Sequence, residues 1–422
     1  MTPEIKQRIE QIRRGKVPEG YKKVKMWMCP VEWKVTTLNT VADVGQGYTF
    51  KREYQGQSVG RWNYFKVADI GLKNTGIYLS SAINKVDDSL IKQMGCKPFS
   101  AGSIVFPRVG AALLNNNKRI LLQDSIVDDN VLVLTVKDVF TCNNIFLYYL
   151  LSRLRLEDWC NSGLVPVINS KTVLKQTVNL PPIEEQQKIA AILTTQDKVI
   201  ELKEKRFAEK QRQKKYLMQQ LLTGKKRLPG FNGAWRADRL GKLFLERKET
   251  NCEGLQMLAI TGTQGIIPRK ELDLKENSSE DKSKYLRVCV GDIGYNTMRM
   301  WQGVSAYSNY EGIVSPAYTI LKPSLSINAK YFAYLFKMPE IVFMFYRFSQ
   351  GLVDDTRNLK YENFKKIKVF YPPDIEEQTA IAEVLSAADH EIELLRQDIE
   401  QEKQKKKALM QLLLTGIVRV NA

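Results

Sequence analysis

The sequence predicts an α/β protein built as a cyclic repeat: two similar globular α/β domains separated by two long antiparallel coiled-coil helices, related by a pseudo-two-fold axis. Three observations carry this. Residues 183–224 match residues 375–416 at a constant offset of 192 without a gap, and 20 of the 42 positions are identical. Inside that segment apolar residues recur every seven positions. Outside it, aromatic and β-branched stretches broken by Gly, Asn and Pro close on apolar helices near residues 143–158 and 328–348, the pattern of mixed α/β domains.

The repeated segment reads as a helix with marked ends. Pro181-Pro182 and Pro372-Pro373 suit a helix start. Glu184-Glu185 and Glu376-Glu377 then fall in the first turn, where the macrodipole favours anions. Gly224 and Gly416 supply the stops. One heptad seam runs through Leu193, Ile200, Phe207, Lys214 and Leu221, and through Leu385, Ile392, Ile399, Lys406 and Leu413. The second seam is Ile381, Ala388, Leu395, Glu402 and Leu409 in one copy. In the other it is Ile189, Gln196, Lys203, Lys210 and Leu217, polar enough to predict imperfect pairing there.

Each helix begins acidic and ends basic, so antiparallel pairing sets opposite charges together. The two helices sum to −1, which leaves +19 to the rest of a chain whose net charge is +18. The stretch Gly15-Lys16-Val17-Pro18 resembles the residues just after the first helix, which makes the repeat cyclic. Weaker echoes join the globular parts: Trp33 with Trp235, residues 125–134 with 312–321, and Gly163-Leu164-Val165 with Gly351-Leu352-Val353. The expected organisation is a leader (1–24), a first head (25–182), a central helix (183–224), a second head (225–373) and a C-terminal helix (374–422).

A pI near 9.4 and the basic excess of the heads point to a polyanion, with nucleic acid ahead of an anionic membrane surface. Apolar runs such as Ile145 to Leu151 are far too short to span a bilayer. The N-terminus lacks the apolar core of a secretory signal, so a cytoplasmic location is expected. Six cysteines without a C-x-x-C pair read as reduced thiols. A lone histidine, His390, argues against a histidine metal site or triad. No phosphate loop is present: Thr223-Gly224-Lys225 lacks the upstream glycine and the following hydroxyl. Gly45-Gln46-Gly47 is a turn, and Asn179-Leu180-Pro181-Pro182 departs from the Asn-Pro-Pro-aromatic motif of adenine methyltransferases. No catalytic residue and no metal ligand is assigned.

Arginine can clamp guanine and an amide can clamp adenine in the major groove, while lysine mainly grips phosphate. Residues of those types interleave with aromatics in two regions of the first head. The candidate DNA-binding residues there are Arg52, Arg61, Asn63, Arg108 and Asn116. In the second head they are Asn296, Arg299, Trp301, Gln302, Arg347 and Arg357. Arg108 and Arg299 stand out because each follows a Gly-x-Ile turn, Gly102 to Ile104 and Gly291 to Ile293.

Two heads alternating with near-identical helices that carry Pro-Pro-Ile-Glu-Glu-Gln at 181–186, Pro-Pro-Asp-Ile-Glu-Glu-Gln at 372–378 and Leu-Leu-Thr-Gly at both ends resemble the specificity subunit of type I restriction-modification enzymes. The resemblance covers essentially the whole chain, with Asp374 an extra residue. It implies sequence-specific recognition of a bipartite double-stranded DNA target, one half-site per head, without chemistry of its own. It also implies two methyltransferase subunits and restriction-translocase subunits as partners. S-adenosylmethionine, ATP and Mg belong to those partners, leaving no cofactor here. The helices would then act as a ruler: about 40 residues at roughly 1.5 Å each span about 60 Å. Two alternatives stay open, the recognition part of another bipartite-site methyltransferase or nuclease system, and a coiled-coil scaffold that does not bind DNA.

Overall fold

The computed structural model describes residues 2–24, 27–72, 76–161, 163, 165–252, 254–262, 264–272 and 281–420. Leu164, from the tripeptide echo, lies outside them. Six helices organise the chain: α1 (Pro3–Arg13), α2 (Asn144–Ser152), α3 (Ile183–Leu221), α4 (Ala329–Leu335), α5 (Pro339–Phe348) and α6 (Ile375–Leu413). It divides into two compact units, Met1–Lys205 with Gln397–Ala422, and Arg206–Arg396. Both long helices have 39 residues, and the glycines that follow them adopt φ of +70° and +71°. That left-handed conformation is open to glycine at little cost.

In the first unit, five strands form one sheet: β1 (Ala42–Gln46), β2 (Tyr78–Leu79), β3 (Ile104–Pro107), β4 (Arg119–Leu121) and β5 (Val131–Val136), in the order β1-β5-β3-β4-β2. Only β2 and β4 pair in parallel. The central strands are buried on both faces, which is why they read as unbroken apolar runs. Ile104, Phe106, Leu132 and Leu134 face α2 and the helix residues Ile189, Leu193 and Leu413. Val105, Val131 and Val133 point the other way onto Phe65 and Ile70. In the second unit, β6 (Phe244–Glu246), β7 (Ile293–Asn296), β8 (Ser305–Tyr307) and β9 (Tyr318–Pro323) take the order β6-β9-β7-β8, all antiparallel. That is the first head's order without β2. Pro339 splits the apolar stretch near residues 328–348, because it cannot continue α4 but can begin α5.

Within each unit the two long helices run antiparallel. In the first, Asp197 pairs with Lys406 (2.6 Å), Lys203 with Asp398 (2.7 Å) and Glu402 (2.8 Å), and Glu204 with Lys403 (2.7 Å). In the second, Lys210 pairs with Glu391 (2.8 Å) and Lys214 with Asp389. The polar seam is therefore better matched than the sequence suggests. Gln196 donates to Glu402 at 2.7 Å, and Lys203 and Lys210 meet acids of the other helix. Lys203 and Gln196 hold the Glu402 carboxyl down to about 2. The apolar seam is buried at Leu193, Ile200, Leu221, Leu385, Ile399 and Leu413, and half-buried at Phe207 and Ile392.

The start of each long helix is clamped to its head by the same side chains. Glu185, 2% exposed, accepts from both Arg419 nitrogens (2.9 and 3.0 Å) and from the Trp33 indole (3.2 Å). Glu377, 1% exposed, accepts from Arg227 (2.7 Å) and the Trp235 indole (3.4 Å). Each arginine lies in the tail of the opposite helix, so the cyclic return read from the leader is made by salt bridges. The next residue caps the head. Gln186 accepts from the Asn143 amide and donates to the Pro181 carbonyl, and Gln378 does the same with Asn328 and Pro372. The Glu-Gln pair of the repeated motif thus joins helix to head.

Candidate nucleic-acid interface

The second head gathers its candidates around one short turn. After β7 the chain makes a 3-10 turn, Met300–Gln302, whose Met300 side chain is buried while Arg299 and Gln302 are exposed. The Trp301 indole donates to the Met298 carbonyl at 3.0 Å, and its ring meets Tyr346 of α5 edge-on with centroids 6.2 Å apart. The Arg357 guanidinium stacks on the other ring of that pair, 4.0 Å from the Tyr346 centroid, and bonds the Tyr346 hydroxyl (3.0 Å) and Asp354 (2.9 Å). Phe343 lies parallel to Tyr346. Arg299, Gln302 and the exposed Arg347 make no side-chain hydrogen bond or ion pair among the described residues. Trp301, Tyr346 and Arg357 thus form a stiff aromatic base, with two uncommitted arginines and one amide beside it. Such free groups are the kind that can meet phosphate and base edges. Asn296 is spent locally, its carbonyl oxygen accepting from the Met298 amide.

The first head spreads its candidates over two places. Arg61 stacks on Trp62 (4.7 Å) and pairs with Asp88 (3.3 Å), while the Trp62 indole donates to the same carboxylate at 2.7 Å. Those bonds, Trp62 first, hold the Asp88 carboxyl below its ordinary range. Arg52 is exposed on the 3-10 turn Arg52–Tyr54. Asn63 belongs to the fold: it is 2% exposed, donates to the Ser80 carbonyl and accepts from the Ala82 amide. Arg108 and Asn116 lie in the loop after β3. Asn116 adopts φ +53° and accepts from the Leu156 amide (2.9 Å) and the Lys118 ammonium (2.8 Å), which commits it to holding that loop. Arg108 is half-buried, and its Nε is enclosed without a partner.

Backbone bonding corrects one pairing. The Ile168 amide donates to the Arg108 carbonyl, and the Leu359 amide donates to the Thr297 carbonyl. Thr297, rather than Arg299, therefore occupies the place of Arg108, and Arg299 sits two residues further along. The loops that make these bonds, residues 161–168 and 350–359, were not among the candidate sites. Their shared Gly-Leu-Val was the signal that could have found them. Among the described residues, no group of three or more His, Cys, Asp or Glu is placed to hold a metal ion. Nor is any helix there long and apolar enough to cross a membrane.

Residues 30–212 and 274–404 match the sequence pattern of the family described as type I restriction modification DNA specificity domain. A Methanocaldococcus jannaschii protein bearing the name type I restriction enzyme MjaX specificity subunit is 26% identical over 447 aligned positions, covering 95% of this chain and 97% of that one. Among solved structures, the S subunit of a type I restriction-modification system from M. genitalium is similar with a TM-score of 0.58 at 14% identity, over 90% of this chain and 96% of its own. A chain from work on complex assembly and conformational transition of the type I R-M system gives 0.52 at 16% identity, over 92% and 99%. At those identities the structural likeness speaks for the fold.

Proposed function

The chain belongs to the type I restriction-modification specificity subunits, non-catalytic proteins that recognise DNA, and on that premise we propose how this one divides the task. Each head reads one half of a bipartite duplex target, and partner subunits act there by adenine methylation or ATP-dependent cleavage. The observation that carries this is the pairing of one strand order and one helix clamp with two different sets of exposed side chains. In the first head these are Arg52, Arg61 and Arg108; in the second, Arg299, Trp301, Gln302 and Arg347, with Arg357 bracing the aromatic base. Asn63, Asn116 and Asn296 make bonds that serve the fold. S-adenosylmethionine, ATP and Mg are assigned to the partner subunits, two of them methyltransferases.

The test is a genome-wide map of modified adenines in a host carrying this protein with its partner methyltransferase. One motif made of two short blocks and a fixed spacer is expected. Exchanging the second head for that of a relative should change one block and leave the other. A single continuous motif, or two blocks changing together, would overturn the division of labour.

A further inference from the structure

The two heads differ at the residues offered above as base readers, yet each carries Gly-Leu-Val in the loop that crosses the end of β3 or β7. In the second head this loop is tied on every side. Gln350 and Asn358 exchange both backbone bonds at 2.8 Å, and Leu359 bonds Thr297. The Thr356 hydroxyl donates to the Val353 carbonyl at 3.0 Å, and Arg357 engages Asp354. Gly351 closes the turn at φ +131°, where a Cβ would stand 2.6 Å from the Thr356 carbonyl oxygen. The result is an ordered loop that holds Leu352 99% and Val353 60% exposed. The first head's loop is tied likewise, Asn161 to Val167 and Gly110 to Pro166, with Val165 55% exposed.

An ordered loop that keeps a leucine wholly in water has its apolar burial still to make. Arg299 and Arg347 flank the second tip without acidic partners, and the one described acid beside it, Asp354, is taken up by Arg357. The occupant that fits is anionic outside and apolar inside, which describes a duplex entered through a groove. Because the tripeptide is common to heads that differ elsewhere, its contact must be indifferent to base identity, and a base step meets that condition where a base edge does not. We propose that Leu352 with Val353 in the second head, and Val165 in the first, act as wedges that enter a groove and partly unstack one base step in each half-site. This rests on the DNA-facing reading of the heads.

The experiment uses the full complex with its methyltransferase partner and a duplex carrying the mapped target, with 2-aminopurine placed singly at successive positions. Binding should raise fluorescence several-fold at one step of each half-site. Leu352→Ala should remove that rise in one half-site and weaken binding about tenfold, the scale of a lost leucine contact. Leu352→Met should restore both, and Val165→Ala should act only on the other half-site. Full exposure of Leu352 makes its replacement safe for folding, which an unchanged melting curve would register. An undiminished rise in Leu352→Ala, or no rise at any position, overturns the wedge. If Arg299→Ala and Arg347→Ala weaken binding while Leu352→Ala does not, only the wedge falls. If neither arginine matters, the DNA-facing reading falls first.

Discussion

In the first head Glu185 takes Trp33 and Arg419, and the Tyr149 hydroxyl donates to Asp197, which also pairs with Lys406. In the second, Glu377 takes Trp235 and Arg227, and Tyr334 donates to Asp389, which pairs with Lys214. Beyond these joints the heads part. Ser125–Val127 pairs in parallel with Trp62–Phe65 in the first, whereas its counterpart Gly312–Val314 pairs antiparallel with Leu286–Val288 in the second. The exposed arginines stand on different elements. Residues that repeat in sequence are thus the ones that seat a head on its helices, and residues that differ are the ones free to read.

The largest expected effect tests the first half of that statement. Glu185→Ala or Glu377→Ala leaves an arginine and an indole N–H without their acceptor, and breaking a buried pair costs about 3–5 kcal/mol. Similar losses in the two variants, read as urea midpoints by tryptophan fluorescence, are expected because the clamps match bond for bond. A loss in one and silence in the other would break the equivalence.

The second half is tested by Arg108→Ala and Arg299→Ala. Each should cost roughly 1–3 kcal/mol of binding if its contact is bidentate to guanine, and each should relax one half-site only. Asn63→Ala and Asn116→Ala should instead lower stability. An equal loss on every DNA sequence would make the two arginines phosphate contacts and leave specificity to Gln302 and Trp301.

The repeat, the helix ends and the heptad were legible because each is a local or periodic property of the chain. Glu185 and Glu377 were legible only as acids in a helix first turn, where charge alone explains them. Their partners, Arg419 and Trp33 for one and Arg227 and Trp235 for the other, are 234, 152, 150 and 142 residues away, a distance over which no periodicity speaks. The polar seam looked weak for a related reason, since its complement lies on the other helix. Strand order was not legible either: strands of two to six residues, apolar on both faces, carry no alternation to orient them. Asn63 resembled a base reader because its neighbours are arginine and tryptophan, and only its place within a buried strand shows where its amide is used.

The smallest expected effect concerns a cross-brace that both heads make from opposite sides. Lys118, just before β4, reaches past α2 to the Leu154 carbonyl (3.0 Å) as well as Asn116. Lys337, just past α4, reaches back to the Gly303 and Ser305 carbonyls at the start of β8 (2.7 and 2.6 Å). No carboxylate compensates either ammonium among the described residues. Burial drives Lys118 down to about 7 from an ordinary 10.5, and burial with Lys214 nearby brings Lys337 to about 8. A lysine whose folded pKa is lowered binds fewer protons folded than unfolded, so stability rises with pH from the folded value up to the unfolded one. Between pH 7 and 8 the fully buried Lys118 should add about 1 kcal/mol to the first head. Lys337 should add less, because its window opens a unit higher and its exposed side chain is screened by solvent. Urea midpoints at pH 7 and 8, compared with Lys118→Met and Lys337→Met, measure both increments. A pH slope that survives Lys118→Met would show that the first head draws its pH dependence from another group.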